Sequence, residues 1–77
     1  MIFTNKEVFN ENKSTIDKIS AKLGTGPVSL RDYCGGIQVN WVTEGKSYMW
    51  RNVDKEDRVE VYTGSSYNTH YLFIDEL

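Results

Sequence analysis

Cys34, followed by Gly35 and Gly36, is the first position in this chain with nucleophilic potential, a thiol on an unhindered stretch of backbone. A reactive thiol needs a base or a helix N-terminus beside it to hold the thiolate. The chain has one histidine, His70, and no acid is spaced to orient it. The simpler reading of Cys34 is a small, partly buried residue after Tyr33, and that of His70 a strand-end or surface histidine. One cysteine and one histidine also fall short of the four N or S ligands of a structural zinc site, and a lone cysteine makes no internal disulfide. We therefore expect no catalytic residue, no metal and no cofactor.

Two further spacings invite chemistry and then lose it. Gly24, Thr25 and Gly26 before Pro27 hint at a phosphate-cradling loop, but no Gly-Lys-Ser/Thr follows, and the glycines come after a helical pattern instead of opening one. They read as a helix stop. Asp54, Glu56 and Asp57 crowd a predicted turn without the spacing or central glycine of a calcium loop. As an acidic tip they would engage a basic groove on a partner; as ordinary turn residues they would only be solvated.

What is unusual is aromatic content, at 13 % of 77 residues. Tyr, Trp, Met and Arg are the residue types enriched where proteins meet proteins. Which of them face outward depends on the elements that carry them.

From Asn5 to Leu23 the apolar residues Phe9, Ile16, Ile19 and Leu23 share one face at helical period, with Lys13, Lys18 and Lys22 opposite. Thr4 and Glu7 fit a capping box at its start. Asn12 interrupts the stripe and Ser14 with Asp17 forms a second cap-like pair, so the alternative is a short turn followed by a helix from Thr15. Beyond Pro27 the period changes to two. Val28 to Cys34 fits either a short strand or one helical turn, with Gly35 and Gly36 breaking it. A two-residue loop at Glu44 and Gly45 places Trp41 opposite Tyr48 and Val39 opposite Trp50. The next connection is expected to set Trp50 against Val61, Asn52 against Val59, Arg51 against Glu60 and Met49 against Tyr62. Both turns then put Ile37, Val39, Trp41, Tyr48, Trp50, Val59 and Val61 on one side, against the helix. His70 to Ile74 reads as a last strand, apolar on both faces and so expected to be covered on both.

The expected fold is α+β: a single domain over residues 1–77, with one amphipathic helix at about 5–23 packed on an antiparallel meander of three to four strands at about 37–75. The chain carries nine Lys and Arg against eleven Asp and Glu, a net charge of -2, and its mean hydropathy is -0.53. That balance lacks the concentrated basic face on which duplex binding rests, and no apolar run reaches bilayer length. Met1 to Lys6 has no secretory pattern, so the expected location is the cytoplasm, or the host cell interior for a viral protein.

Function is then expected from surface rather than catalysis. Val42, Met49, Arg51, Glu60 and Tyr62 form the candidate contact face, with Tyr67 in a loop and the acidic tip of Asp54, Glu56 and Asp57 beside it. A small build rich in Asn, Lys and Tyr resembles that of phage-encoded inhibitors of host enzymes or defence systems. The resemblance is one of style and implies action by protein–protein contact. The alternative is a nucleotide or single-stranded nucleic-acid module, in which Tyr33, Tyr62, Tyr67 and His70 stack on bases while Arg31, Arg51 and Arg58 contact phosphate. Open strand edges would also let a second copy pair as a homo-oligomer.

Overall fold

The computed structural model describes residues 6–54, 57–63 and 69–77; of residues 54, 63 and 69 it describes the backbone alone. One helix, α1 (Lys6–Leu23), precedes five strands: β1 (Ser29–Tyr33), β2 (Gly36–Thr43), β3 (Lys46–Arg51), β4 (Arg58–Thr63) and β5 (Thr69–Phe73). The strands form one antiparallel sheet in chain order, with β1 and β5 at its edges. This is the expected α+β architecture with more strands than the three to four read from the sequence.

The helix is continuous rather than split at Asn12. That side chain is half-buried and its Nδ2 donates to the Val8 carbonyl at 2.8 Å, so the polar interruption is satisfied within the helix. Ser14 therefore caps nothing, and Asp17 instead pairs with Lys13 one turn earlier at 3.1 Å. The expected cap residue Thr4 lies outside the described residues. Gly24, at φ 73°, ends the helix: its N–H and that of Thr25 both donate to the Ser20 carbonyl.

The segment that fitted strand or helical turn is β1, and the sheet starts at Ser29 rather than near residue 37. The reason lies in the turn. Cys34 and Gly35 both adopt positive φ, at 46° and 84°, so they form a two-residue hairpin loop, and Gly36 pairs with Tyr33 instead of breaking the chain. Gly36 must be glycine for another reason, because a Cβ there would collide with the side chains of Asn52 and Val53. The Glu44–Gly45 loop repeats the device, with φ of 52° and 75°, and sets the expected register of Trp41 with Tyr48 and Val39 with Trp50.

The third hairpin departs from expectation. Met49 pairs with Glu60, Tyr48 with Val61 and Ser47 with Tyr62, a slip of two residues from the predicted register. Asn52–Asp54 leave the strand as a short 3-10 turn, and Asn52 accepts a hydrogen bond from the Ile37 N–H, so the connection is longer than read. A slip of two preserves which face each side chain occupies.

The core consequently assembles as the parity requires. Ile37, Val39, Trp41, Trp50, Val59 and Val61 are buried against Ile16 and Ile19 of α1, with Phe9, Leu23, Tyr48 and Leu72 at the margin. Trp41 Nε1 donates to Ser20 Oγ at 2.9 Å and ties helix to sheet through the middle of the core. The buried Nε1 of Trp50 has no hydrogen-bond partner in the structure. At the C-terminus a second 3-10 turn, Ile74–Glu76, buries Ile74, and Asp75 pairs with Lys18 of α1 at 3.2 Å. No helix among the described residues is long and apolar enough to cross a membrane.

Candidate functional site

Side chains alternate across a pleated sheet, so the face turned away from α1 is fixed once the inner one is known. The registers align it in rows. Arg31, Gln38 and Arg51 share one row, and Arg58 falls in line two residues before Glu60, opposite Phe73. Ser29, Asn40, Met49, Glu60 and Tyr71 form the next row, and Val42, Ser47 and Tyr62 the one after.

A polar network occupies the centre. Arg51 Nη2 pairs with Glu60 Oε1, and the other carboxylate oxygen accepts from the Tyr62 hydroxyl at 2.6 Å. Arg51 Nη1 donates to the Tyr33 hydroxyl at 2.8 Å, and the guanidinium lies 5.0 Å from that ring's centre. The expected Arg51–Glu60 contact is thus made diagonally, not across a register pair. Glu60 sits below the surface at 9 % exposed, with both oxygens engaged, so it organises its neighbours more than it presents itself. The carboxylate acceptor and burial push the Tyr62 hydroxyl up to about 12, a rise that the Arg51 guanidinium only partly offsets.

Beside this network the face exposes three apolar side chains. Val42 is 50 % exposed, Tyr71 53 % and Phe73 61 %. The guanidinium of Arg58 lies 4.7 Å from the centre of the Tyr71 ring. At the same end an open cleft of about 560 Å³ is lined by Asp57, Arg58, Phe73 and Asp75. Exposure of Tyr71 and Phe73 corrects the expectation that the last strand is covered on both faces: β5 is an edge strand, and only Leu72 and Ile74 turn toward the core.

Of the residues singled out from the sequence, Val42, Met49, Arg51, Glu60 and Tyr62 come together on this face. Met49 is half-buried, its sulfur accepting from Gln38 Nε2. Tyr67 and Glu56 lie outside the described residues, as does the side chain of Asp54. Asp57 is exposed, and its carbonyl accepts from the Ile74 N–H at 2.7 Å. Cys34 and His70 are both exposed and sit at opposite edges of the sheet, the first in the β1–β2 turn and the second on β5, so they form no pair. Among the described residues no group of three or more His, Cys, Asp or Glu is placed to hold a metal.

Sequence reasoning missed Tyr71 and Phe73, and gave Arg31 and Arg58 a place only in the nucleic-acid alternative. The signal for the aromatic pair was present: a terminal strand apolar on both faces is either buried twice or left at an edge with one face open.

This combination defines a small α+β domain with one face closed by a helix and the other open, polar at its centre and aromatic at its margin. No protein-family model, curated protein or solved structure is detectably similar to this chain.

Proposed function

We propose that this chain is a non-catalytic binding protein that docks the outer face of its sheet on another protein and blocks or redirects that partner. The observation that carries the reading is the exposure of Val42, Tyr71 and Phe73 around a network already formed without a partner. Aromatic side chains lose few rotamers on binding, and a pre-paired Arg51–Glu60 centre has less ordering left to lose at the interface. The face is contiguous across the sheet, from Val42 on β2 to Tyr62 on β4 and Tyr71 on β5.

The test is complex formation in extracts of the cells the protein comes from, read by size-exclusion and mass spectrometry. Two double variants, Met49→Ala with Tyr62→Ala and Tyr71→Ser with Phe73→Ser, are expected to keep a cooperative melt and lose the complex. A complex retained by both would remove the face from consideration.

Single-stranded nucleic acid is a second reading, favoured by the stack of Arg58 on Tyr71 beside Phe73. It predicts oligonucleotide binding that weakens as salt rises, with Tyr71→Ser abolishing it.

A further inference from the structure

The two edges of the sheet follow one geometric rule and differ in its consequence. In an antiparallel ladder each residue turns its N–H and C=O either to the neighbouring strand or away from it, alternating along the chain. The Ile74 N–H donates to the Asp57 carbonyl at 2.7 Å, in step with the β4–β5 register. His70 and Leu72 therefore bond inward, while Tyr71 and Phe73, with the Thr69 backbone in phase, turn their N–H and C=O to the open edge. The Phe73 N–H agrees with this direction, leaving the sheet to donate to Glu76 Oε1 at 2.9 Å. Along β1 the two-residue loop closed by Tyr33 and Gly36 sets the same alternation, and there Leu30 and Asp32 face out.

Either edge could meet an identical edge about a two-fold axis. The outward residues then bond across the axis, and the residue between them stands against its own copy. On β1, bonding Leu30 to Asp32 of a second copy sets Arg31 against Arg31, a like-charge pair. Centring the axis on Asp32 opposes two acids, and centring it on Leu30 calls on Val28, whose N–H already serves the Asn40 carbonyl. On β5, bonding Thr69 to Tyr71 sets His70 against His70, and an ordinary imidazole is uncharged at pH 8. We propose that β5 pairs with β5 of a second copy about an axis at His70, joining the two sheets into one, while β1 is guarded by its charges.

The Glu76 contact favours a second copy over a foreign strand. A strand of ordinary length, about five residues, laid along β5 needs the Phe73 N–H, which Glu76 holds. The axis at His70 needs only Thr69 and Tyr71 and leaves that contact intact. The same contact disfavours the neighbouring register, centred on Tyr71, in which Thr69 would bond to Phe73. Edge strands are commonly blunted by charge or proline, and from Thr69 to Phe73 the chain has neither. His70 is exposed, and α1 lies chiefly over β2, so the helix side of β5 is accessible to the copy. Pairing in the plane of the sheet leaves its outer face open, so this inference goes beyond the docking reading and does not depend on it.

The experiment is sedimentation equilibrium of the purified full chain at pH 8, from micromolar to millimolar concentration, with Cys34→Ser removing the free thiol. A reversible monomer–dimer equilibrium is expected, weakened severalfold by His70→Arg, which gives β5 the like-charge centre of β1. Tyr71→Pro should abolish it, because it removes an outward N–H and leaves the bonds to β4 in place. Under mild oxidation His70→Cys should give a disulfide dimer and Phe73→Cys should not, since only the residue on the axis comes within about 4.5 Å of its copy, Cα to Cα. His70 is exposed, so its variants are expected to fold, and an unchanged melt checks this. A chain monomeric at every concentration, a dimer indifferent to both His70→Arg and Tyr71→Pro, or equal cross-linking at positions 70 and 73 would overturn the proposal.

Discussion

On the inner face of the sheet Trp41, Ile37, Val39 and Val59 lose almost all contact with solvent and meet Ile16 and Ile19, whereas on the outer face Val42, Tyr71 and Phe73 keep half or more of theirs. Both faces belong to the same five strands and are separated only by side-chain parity. The inner face is held by apolar burial, in which area and shape decide the outcome. At the outer face's centre, charge pairing decides it, and what surrounds the pair stays open. A small domain can thus spend one face on stability and leave the other open, provided the buried acid on the second face is matched.

Substitutions on the inner face should break this division most severely. Trp41→Ala removes a fully buried indole and its bond to Ser20, and is expected to cost about 3–5 kcal/mol, enough to abolish the cooperative melt of a domain this size. Trp50→Phe should cost clearly less than Trp41→Phe, because the Trp50 N–H has no protein partner to lose. Circular dichroism melts of the pair measure that difference.

The outer centre comes next. Glu60→Ala leaves the Arg51 guanidinium and the Tyr62 hydroxyl without their shared acceptor, and should destabilise by about 2 kcal/mol, below the loss for a fully buried pair because Arg51 retains some solvent. Adding Arg51→Met should recover part of it, and the recovery measures their coupling.

A smaller effect sharpens the same point through pH. The Tyr62 hydroxyl ionises near 12 in the folded chain against 10.0 ordinarily, so the folded state holds this proton more tightly. Its contribution is complete below pH 10.0 and is lost as pH rises from there through about 12, where the unfolded chain releases the proton first. In a phenolate absorbance titration the late-ionising component contributed by Tyr62 should disappear in Tyr62→Phe. The smallest change lies at a turn: Glu44 holds a φ of 52°, and Glu44→Asn should stabilise by roughly 0.5–1 kcal/mol in denaturant melts.

Much of the inner face was legible in the sequence because alternation is a strong constraint. The Glu44–Gly45 loop and the parity of Val39, Trp41 and Trp50 needed only the period of two. The register of the third hairpin was not legible, because the turn at Asn52–Asp54 is set by Asn52 reaching back to the Ile37 amide, a contact between residues distant in sequence. The same blindness hid β1: Cys34 in a left-handed conformation is an unfavourable choice for a hairpin, so Gly35–Gly36 looked like a break. Outer-face candidates on β2, β3 and β4 survived the slip of two because parity survived it. Tyr71 and Phe73 did not emerge, since whether a terminal strand is covered depends on the rest of the fold and not on its own pattern.

Site-specific photo-cross-linking in the native cell tests the central claim most directly. A photoreactive residue at position 71, on the open face, is compared with one at position 21, on the exposed side of α1. The account predicts a discrete protein adduct from position 71 and none from position 21; adducts arising only from the helix, or from position 71 to nucleic acid alone, would contradict it.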